Sequence, residues 1–251
     1  MPEPLLIVDN ISRRFGGLLA VDKVSFQINS GQITALIGPN GAGKTTLFSI
    51  ISGFLPPDEG RIVYDGADVT AEPPYKLARR GIARTFQIVQ PFPGLTVREN
   101  IAVGAHLRQG SRAAALRAAD HVARSLGLGA QCETPAATLT VAGSKRLELA
   151  RALAIAPRLL LLDEVLAGLN PSEIRDMVPV IRGLACTGMT ILMTEHVMQA
   201  VMSLAEQVFV LAEGRIIARG TPAEVAADRR VIEAYLGRGA AQRMAAGNAH
   251  A

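Results

Sequence analysis

Three groups of residues have the types and spacing of a site that handles phosphate. Gly38-Pro39-Asn40-Gly41-Ala42-Gly43-Lys44-Thr45 follows the pattern of a glycine, four residues and Gly-Lys-Thr, with an apolar run before it and a helix-like run from Thr46 onward. Such a stretch is a phosphate-binding loop. Its glycines let backbone N–H groups converge on phosphate oxygens with no Cβ in the way, and the helix behind it adds the positive end of its dipole. Lys44 then reaches the β- and γ-phosphates as a point charge, and the Thr45 hydroxyl ligates Mg²⁺. A dinucleotide fingerprint is disfavoured, since it lacks the Gly-Lys-Thr ending. The second group closes an apolar run, Leu159-Leu160-Leu161-Leu162, with Asp163 and Glu164. One carboxylate can serve Mg²⁺ directly or through water, and the next can orient and polarise an attacking water. The third group is Gln87 and His196, each placed by the sequence at the end of a strand-like run. Each has a plainer reading alone: Gln87 as a surface residue, Glu164 as a helix cap, His196 as a satisfied turn histidine.

Elements with the right order must bring these groups to one edge. Ile33 to Ile37 reads as a buried strand and Thr46 to Ile51 as a helix, so the glycines fall at a strand-to-helix turn. Upstream, Leu5 to Val8 and Val24 to Ile28 read as strands, with Gly16-Gly17 turning the chain between them. Phe15, just before that turn, suits either the core or a ring stacked on a nucleotide base. Arg61 to Asp65 reads as a strand, Tyr75 to Arg80 as a short helix, and Ile82 to Phe86 as a strand that delivers Gln87.

From Pro91 to Pro157 the pattern becomes helical. Thr96-Val97-Arg98-Glu99 is a capping box, a second helix carries Ala119, Val122, Ala123 and Leu126 on one face, and a third is expected from Ser144 to Ala156. The strand at Leu159 to Leu162 is continuous rather than alternating, as in a parallel strand covered on both faces. Asn170-Pro171-Ser172-Glu173 caps a helix running towards Cys186, with a kink expected at Pro179. Thr190 to Thr194 is a strand ending at Glu195-His196, Glu213-Gly214 turns a hairpin, and Thr221 to Glu224 caps a last helical region reaching Gly237. Residues 238–251, rich in Ala and Gly, read as a frayed tail. In an open parallel sheet ligands bind at the carboxyl ends of the strands, the edge on which the loop, Gln87, Asp163, Glu164 and His196 converge.

Composition narrows the field. A chain of 251 residues can bury a sizeable core. Lys and Arg exceed Asp and Glu by 26 to 22, the excess is scattered, and the absence of Trp removes the usual stacking platform, so nucleic acid is not an expected partner. Cys132 and Cys186 are too far apart in sequence for a metal motif and read as packing residues of a reducing compartment. His106, His121 and His250 lack ligand spacing and take no role. The first residues lack a basic leader, and no run of about 18 apolar residues is present to span a bilayer, so the expected place is the cytoplasm.

On these residues the sequence resembles the ATP-binding cassette (ABC) ATPases of membrane transporters, from Leu5 to about Gly237. Beyond the phosphate loop the likeness rests on Arg84-Thr85-Phe86-Gln87, Leu159 to Glu164, Ala167-Gly168-Leu169-Asn170-Pro171 and Thr194-Glu195-His196. The resemblance implies an α/β P-loop NTPase with a RecA-like core, an antiparallel β subdomain at the N-terminus and an inserted α-helical subdomain at about 91–157. It makes Phe15 the adenine-stacking ring, Gln87 the glutamine that senses Mg²⁺ and the membrane subunit, Asp163 a metal-side carboxylate, Glu164 the catalytic base and His196 the γ-phosphate contact. ATP and Mg²⁺ are the implied cofactors, held by Phe15, by the loop from Gly38 to Thr46 and, from the other chain of a two-cassette sandwich, by Thr140 and Gly143. The implied partners are membrane-spanning permeases, a second cassette that is identical or closely related, and indirectly an external substrate-binding protein. The implied location is peripheral, at the cytoplasmic face of the inner membrane.

The family signature Leu-Ser-Gly-Gly-Gln aligns with Leu139-Thr140-Val141-Ala142-Gly143, so a hydroxyl is kept while both glycines are replaced. Val165 stands where the family usually has Pro. Within the family, Arg14 to Val21, Arg84 to Gln87, Gly168 to Pro171 and Val231 to Gly237 resemble the importers of branched-chain amino acids; importers of urea or other amides share these features. A nucleotide switch with weak hydrolysis is the competing reading of the altered signature. A soluble cassette of DNA repair or translation is a third, set against the absence of a duplicated cassette or a long coiled-coil insert.

Overall fold

The apolar runs of this chain become strands because they are β-branched and leucine-rich, bounded by glycine or proline, and able to bury alternate residues on opposite faces. The computed structural model describes residues 4–236. The expected tail at 238–251, with Gly237 and His250, lies outside the described residues.

The chain opens with a long hairpin, β1 (Pro4–Phe15) and β2 (Leu18–Asn29), paired antiparallel with several register shifts. Both strands exceed the expected runs, since polar residues such as Asp9, Asn10 and Lys23 stay in the ladder at its irregular positions. β3 (Ile33–Ile37) leads through the glycine loop into α1 (Lys44–Ile51). β4 (Glu59–Tyr64) joins β1, and the two-residue β5 (Ala67–Asp68), not foreseen in the sequence, pairs with β4. After α2 (Pro74–Arg80), β6 is short (Ile82–Arg84). Gln87 therefore lies three residues beyond the strand rather than at its end.

Between β6 and the next strand run α3 (Val97–Ala105), α4 (Arg112–Ser125) and α5 (Val141–Leu153), with single 3-10 turns at Gly129–Gln131 and Ala136–Thr138. α5 begins three residues earlier than expected, because Thr140 caps it by accepting a hydrogen bond from the Gly143 N–H, and it ends at Leu153 rather than Ala156. β7 (Leu159–Asp163), α6 (Pro171–Cys186), β8 (Thr190–Thr194), α7 (Met198–Leu204), β9 (Gln207–Ala212) and β10 (Arg215–Gly220) follow. α6 runs on through Pro179 as one helix. The last helical region is two helices, α8 (Pro222–Ala227) and α9 (Arg229–Leu236), divided at Asp228. Cys132 is half-buried, but Cys186 is exposed, at the end of α6, and does not pack.

Two sheets result. The antiparallel one has the order β2-β1-β4-β5; the other has the order β10-β9-β3-β8-β7-β6 and is parallel except for the β9–β10 hairpin. Alternate residues of its central strands enter different cores. Leu36, Leu159, Leu161 and Leu192 pack with α1 and the antiparallel sheet, whereas Ala35, Leu160, Leu162 and Met193 face the core that receives α3 to α7. A strand buried on both faces explains why Leu159 to Leu162 shows no polar alternation. The arrangement is the mixed α/β P-loop fold expected from the sequence.

Candidate functional site

The loop between β3 and α1 is fixed by close approach of the backbone. A Cβ on Gly38 would stand 2.0 Å from the Leu211 carbonyl oxygen, and one on Gly43 2.3 Å from that of Ala20. Gly43 also has φ +104°, in the left-handed region that favours glycine. Behind the loop, Lys44 is buried at the start of α1, and its Nζ donates to the carbonyls of Gly38 (2.7 Å) and Pro39 (3.0 Å). Burial lowers its pKa, while Glu164 and Asp163 act to raise it.

Asp163 ends β7 inside the protein. Its carboxylate accepts from Thr194 Oγ1 (2.8 Å) and pairs with Arg84 at 2.7 Å, both partners being buried. Arg84 also donates to Ser49 and Ser52, and its guanidinium lies 5.3–6.0 Å from the ring centroids of Phe48, Phe54 and Phe86. The Arg84 Nε remains without a partner. No role for Arg84 was evident from the sequence; a cation closing a short strand beside an acidic strand end was the available signal.

Glu164 is not a helix cap. It occupies the left-handed region at φ +48°, a conformation that costs a non-glycine residue about 1 kcal/mol or more. That turn aims its carboxylate at two groups on the segments that follow β6 and β8. Gln87 Nε2 donates to Oε2 at 2.6 Å, and His196 Nε2 lies 2.6 Å from Oε1. The partner of His196 is thus the Glu164 carboxylate, on the cavity wall, rather than a group of its own turn. Next to it, the buried Glu195 accepts from the Leu166 N–H at 2.9 Å, and burial pushes its carboxyl up to about 7.

Phe15, Asn40 to Thr46, Gln87, Glu164, His196 and the Glu213-Gly214 turn line one open cavity of about 1120 Å³. Phe15 is 46% exposed there and covered on one side by the Arg13 guanidinium, which decides between the core and surface readings in favour of the surface. Gly38 and Pro39 support the loop from behind through Lys44. Asp163 opens instead into an adjoining cleft shared with Thr45, Arg84 and Gln87. Thr45, Gln87 and Asp163 all line that cleft, and their hydroxyl, amide oxygen and carboxylate are the kinds of oxygen donor that a hard cation such as Mg²⁺ takes, with the Asp163 carboxylate here engaged by Arg84 and Thr194. Thr140 and Gly143 are at the N-terminus of α5 and do not line the cavity. Val141 beside them is exposed.

The family model described as ABC transporter matches residues 21–167. The chain belongs to that family. It is an ABC-type ATPase, and a second model, described as a branched-chain amino acid ATP-binding cassette transporter, matches residues 215–241. The high-affinity branched-chain amino acid transport ATP-binding protein BraF of Pseudomonas aeruginosa is 38% identical, over 94% of this chain and 99% of its own. The corresponding LivG protein of Escherichia coli is also 38% identical with the same coverage, and the probable LivG of Archaeoglobus fulgidus is 34% identical over 93% of this chain and 95% of its own. Among solved structures, a nucleotide-free ATP-binding cassette from an ABC transporter superposes with a TM-score of 0.86 at 32% identity, over 94% of this chain and all of that one.

Proposed function

We propose that this ABC ATPase is the ATP-hydrolysing subunit of an importer for branched-chain or other hydrophobic amino acids. Residues 1–237 act as the cassette, with 91–157 as its helical subdomain, and the closing of two cassettes on ATP is coupled to membrane-spanning permeases. The observation that carries the reading is the Glu164 carboxylate, held between Gln87 and His196 on the wall of the cavity that the phosphate loop lines.

In this reading Phe15 stacks on the adenine. The N–H groups of the loop up to Thr46 hold the phosphates, and Lys44 transfers its hydrogen bonds from the Gly38 and Pro39 carbonyls to phosphate oxygens. Glu164 accepts the proton of the attacking water, and the left-handed turn with its two side-chain partners fixes where that proton goes. His196 contacts the γ-phosphate. Mg²⁺, when bound by Thr45, Gln87 and Asp163, offsets charge on the β- and γ-oxygens. The position of Thr140 and Gly143 outside their own chain's cavity supports a role at the nucleotide of a second cassette. Among the described residues no helix is long and apolar enough to cross a membrane, in keeping with a peripheral subunit on the cytoplasmic face that relies on permeases for the path and on an external binding protein for the solute. The exposed Val141, in place of a signature glycine, supports slow hydrolysis as the variant of this reading, and importers of urea or other amides are the nearest alternative for the solute.

The test is mild-detergent purification of the tagged chain from its host, with mass spectrometry of what accompanies it. Two multi-span permeases and a second cassette are expected, and calorimetry on the associated binding protein then names the solute. Recovery of the chain with ribosomes or nucleic acid instead would reject the importer.

A further inference from the structure

Lys145 stands in the second turn of α5 and is only 7% exposed, an unusual place for an ammonium group. Its Nζ donates to two backbone carbonyls on separate segments, that of Gln87 at 3.0 Å and that of Glu164 at 3.2 Å. These are the residues whose side chains meet through the 2.6 Å bond between Gln87 Nε2 and Glu164 Oε2. The pair is therefore joined twice, once by its own side chains and once through a shared cation from a third element. Lys145 also faces the buried carboxyls of Glu148 on its own helix and Glu195 at the end of β8.

Burying a lysine carries a substantial desolvation cost, and a methionine of similar length would fill the same space without it. What the methionine lacks is the ability to grip two carbonyls. One of them belongs to Glu164, whose left-handed backbone is strained, so a donor on its carbonyl helps to hold that turn. The other end of the lever is short. Thr140, the cap of α5, is five residues from Lys145, or about 7 Å along the helix axis.

We propose that Lys145 is a positioning residue that ties the capped N-terminus of α5 to the Gln87–Glu164 pair, so that displacement of this end of the helix moves the hydrolytic carboxylate. The proposal rests on the reading of Glu164 as the base and adds a mechanical link within the same chain. Contact of the Thr140–Gly143 turn with a second cassette is thereby reported to Glu164 through one side chain.

The test compares full-length wild type with Lys145→Met and Lys145→Arg, using MgATP for turnover, a fluorescent ATP analogue for affinity, and amide hydrogen exchange on the nucleotide-free chain. Lys145→Met is expected to lower kcat by about tenfold or more, as a small misplacement of a catalytic group does, while the nucleotide Kd stays within about twofold. Amides in residues 86–91 and 163–168 should exchange faster, and those of the phosphate loop should not. Lys145→Arg, which can still donate to both carbonyls, should restore turnover and protection. Wild-type kcat in Lys145→Met, unchanged exchange, or an Arg variant that folds normally yet behaves like Met would each overturn the proposal. Should Lys145→Met lose its thermal transition, Lys145→Gln takes its place, with faster exchange at both segments required. Glu164→Gln measured alongside separates the two readings. If it keeps wild-type turnover, the base assignment falls, while exchange and the Arg rescue still judge the tie.

Discussion

Glu195 is where burial most changes the chemistry of a single residue. It is almost completely enclosed, accepts from the Leu166 N–H, and has its carboxyl raised from an ordinary 4.5 to about 7. The folded state therefore holds a proton that the unfolded chain releases near pH 4.5. The stabilisation is fully present below that value, falls as pH rises towards 7, and is lost above it, a difference on the order of 3 kcal/mol. Glu195→Gln removes the titration. Its thermal midpoint should match wild type most closely at about pH 4.5 and below, gain on it up to about pH 7 and level off above that; parallel curves from pH 4.5 to 8 would show that Glu195 does not titrate between the folded and unfolded states.

At the scale of elements, the phosphate loop is determined by what packs against it. The strand β9 and the edge of β2 approach so closely that Gly38 and Gly43 have no space for a side chain. Gly43→Ala should lower stability by about 2 kcal/mol or more, from left-handed strain and overpacking together, and should abolish binding of an ATP analogue. Wild-type affinity in that variant would mean that the loop can shift away from the Ala20 carbonyl without losing its grip on phosphate. The loop, the capping boxes at Thr96, Asn170 and Thr221, and the doubly buried β7 were legible in the sequence because each rests on local chemistry with a fixed spacing. The ends of β6 and α5 were less so. Phe86 has the composition of a strand but leaves the ladder to pack edge-on against Phe54, and α5 starts at the Thr140 cap instead of at its first polar residue. The roles of Arg84 and Lys145 were not legible because their partners, Asp163 and the Gln87 and Glu164 carbonyls, are distant in sequence. In retrospect Lys145 and Glu148 share a stripe with Leu149 and Ala152, and charges on a buried stripe are the sign that was available.

For the whole molecule, the fold keeps the α5 N-terminus apart from the cavity. The cavity gathers the phosphate loop, Gln87, Glu164 and His196, while the Thr140–Gly143 turn sits outside it at the tip of α5. In the proposed reading such a chain is completed by a second cassette. Glu164→Gln, which should keep ATP bound, is expected to shift from one cassette to two in light scattering when MgATP is added, with either itself or its natural second cassette. A single cassette at saturating MgATP with both candidates would contradict the sandwich.

The proposed base of hydrolysis is Glu164, turned out of β7 and held by Gln87 and His196. The most direct measurement is phosphate release by the assembled complex carrying wild type or Glu164→Gln, together with the affinity of each for MgATP. Glu164→Gln should lose about 10²-fold or more in kcat with Kd within about twofold, the range expected on removing a general base. Turnover within about threefold of wild type, or loss of binding in step with turnover, would contradict it.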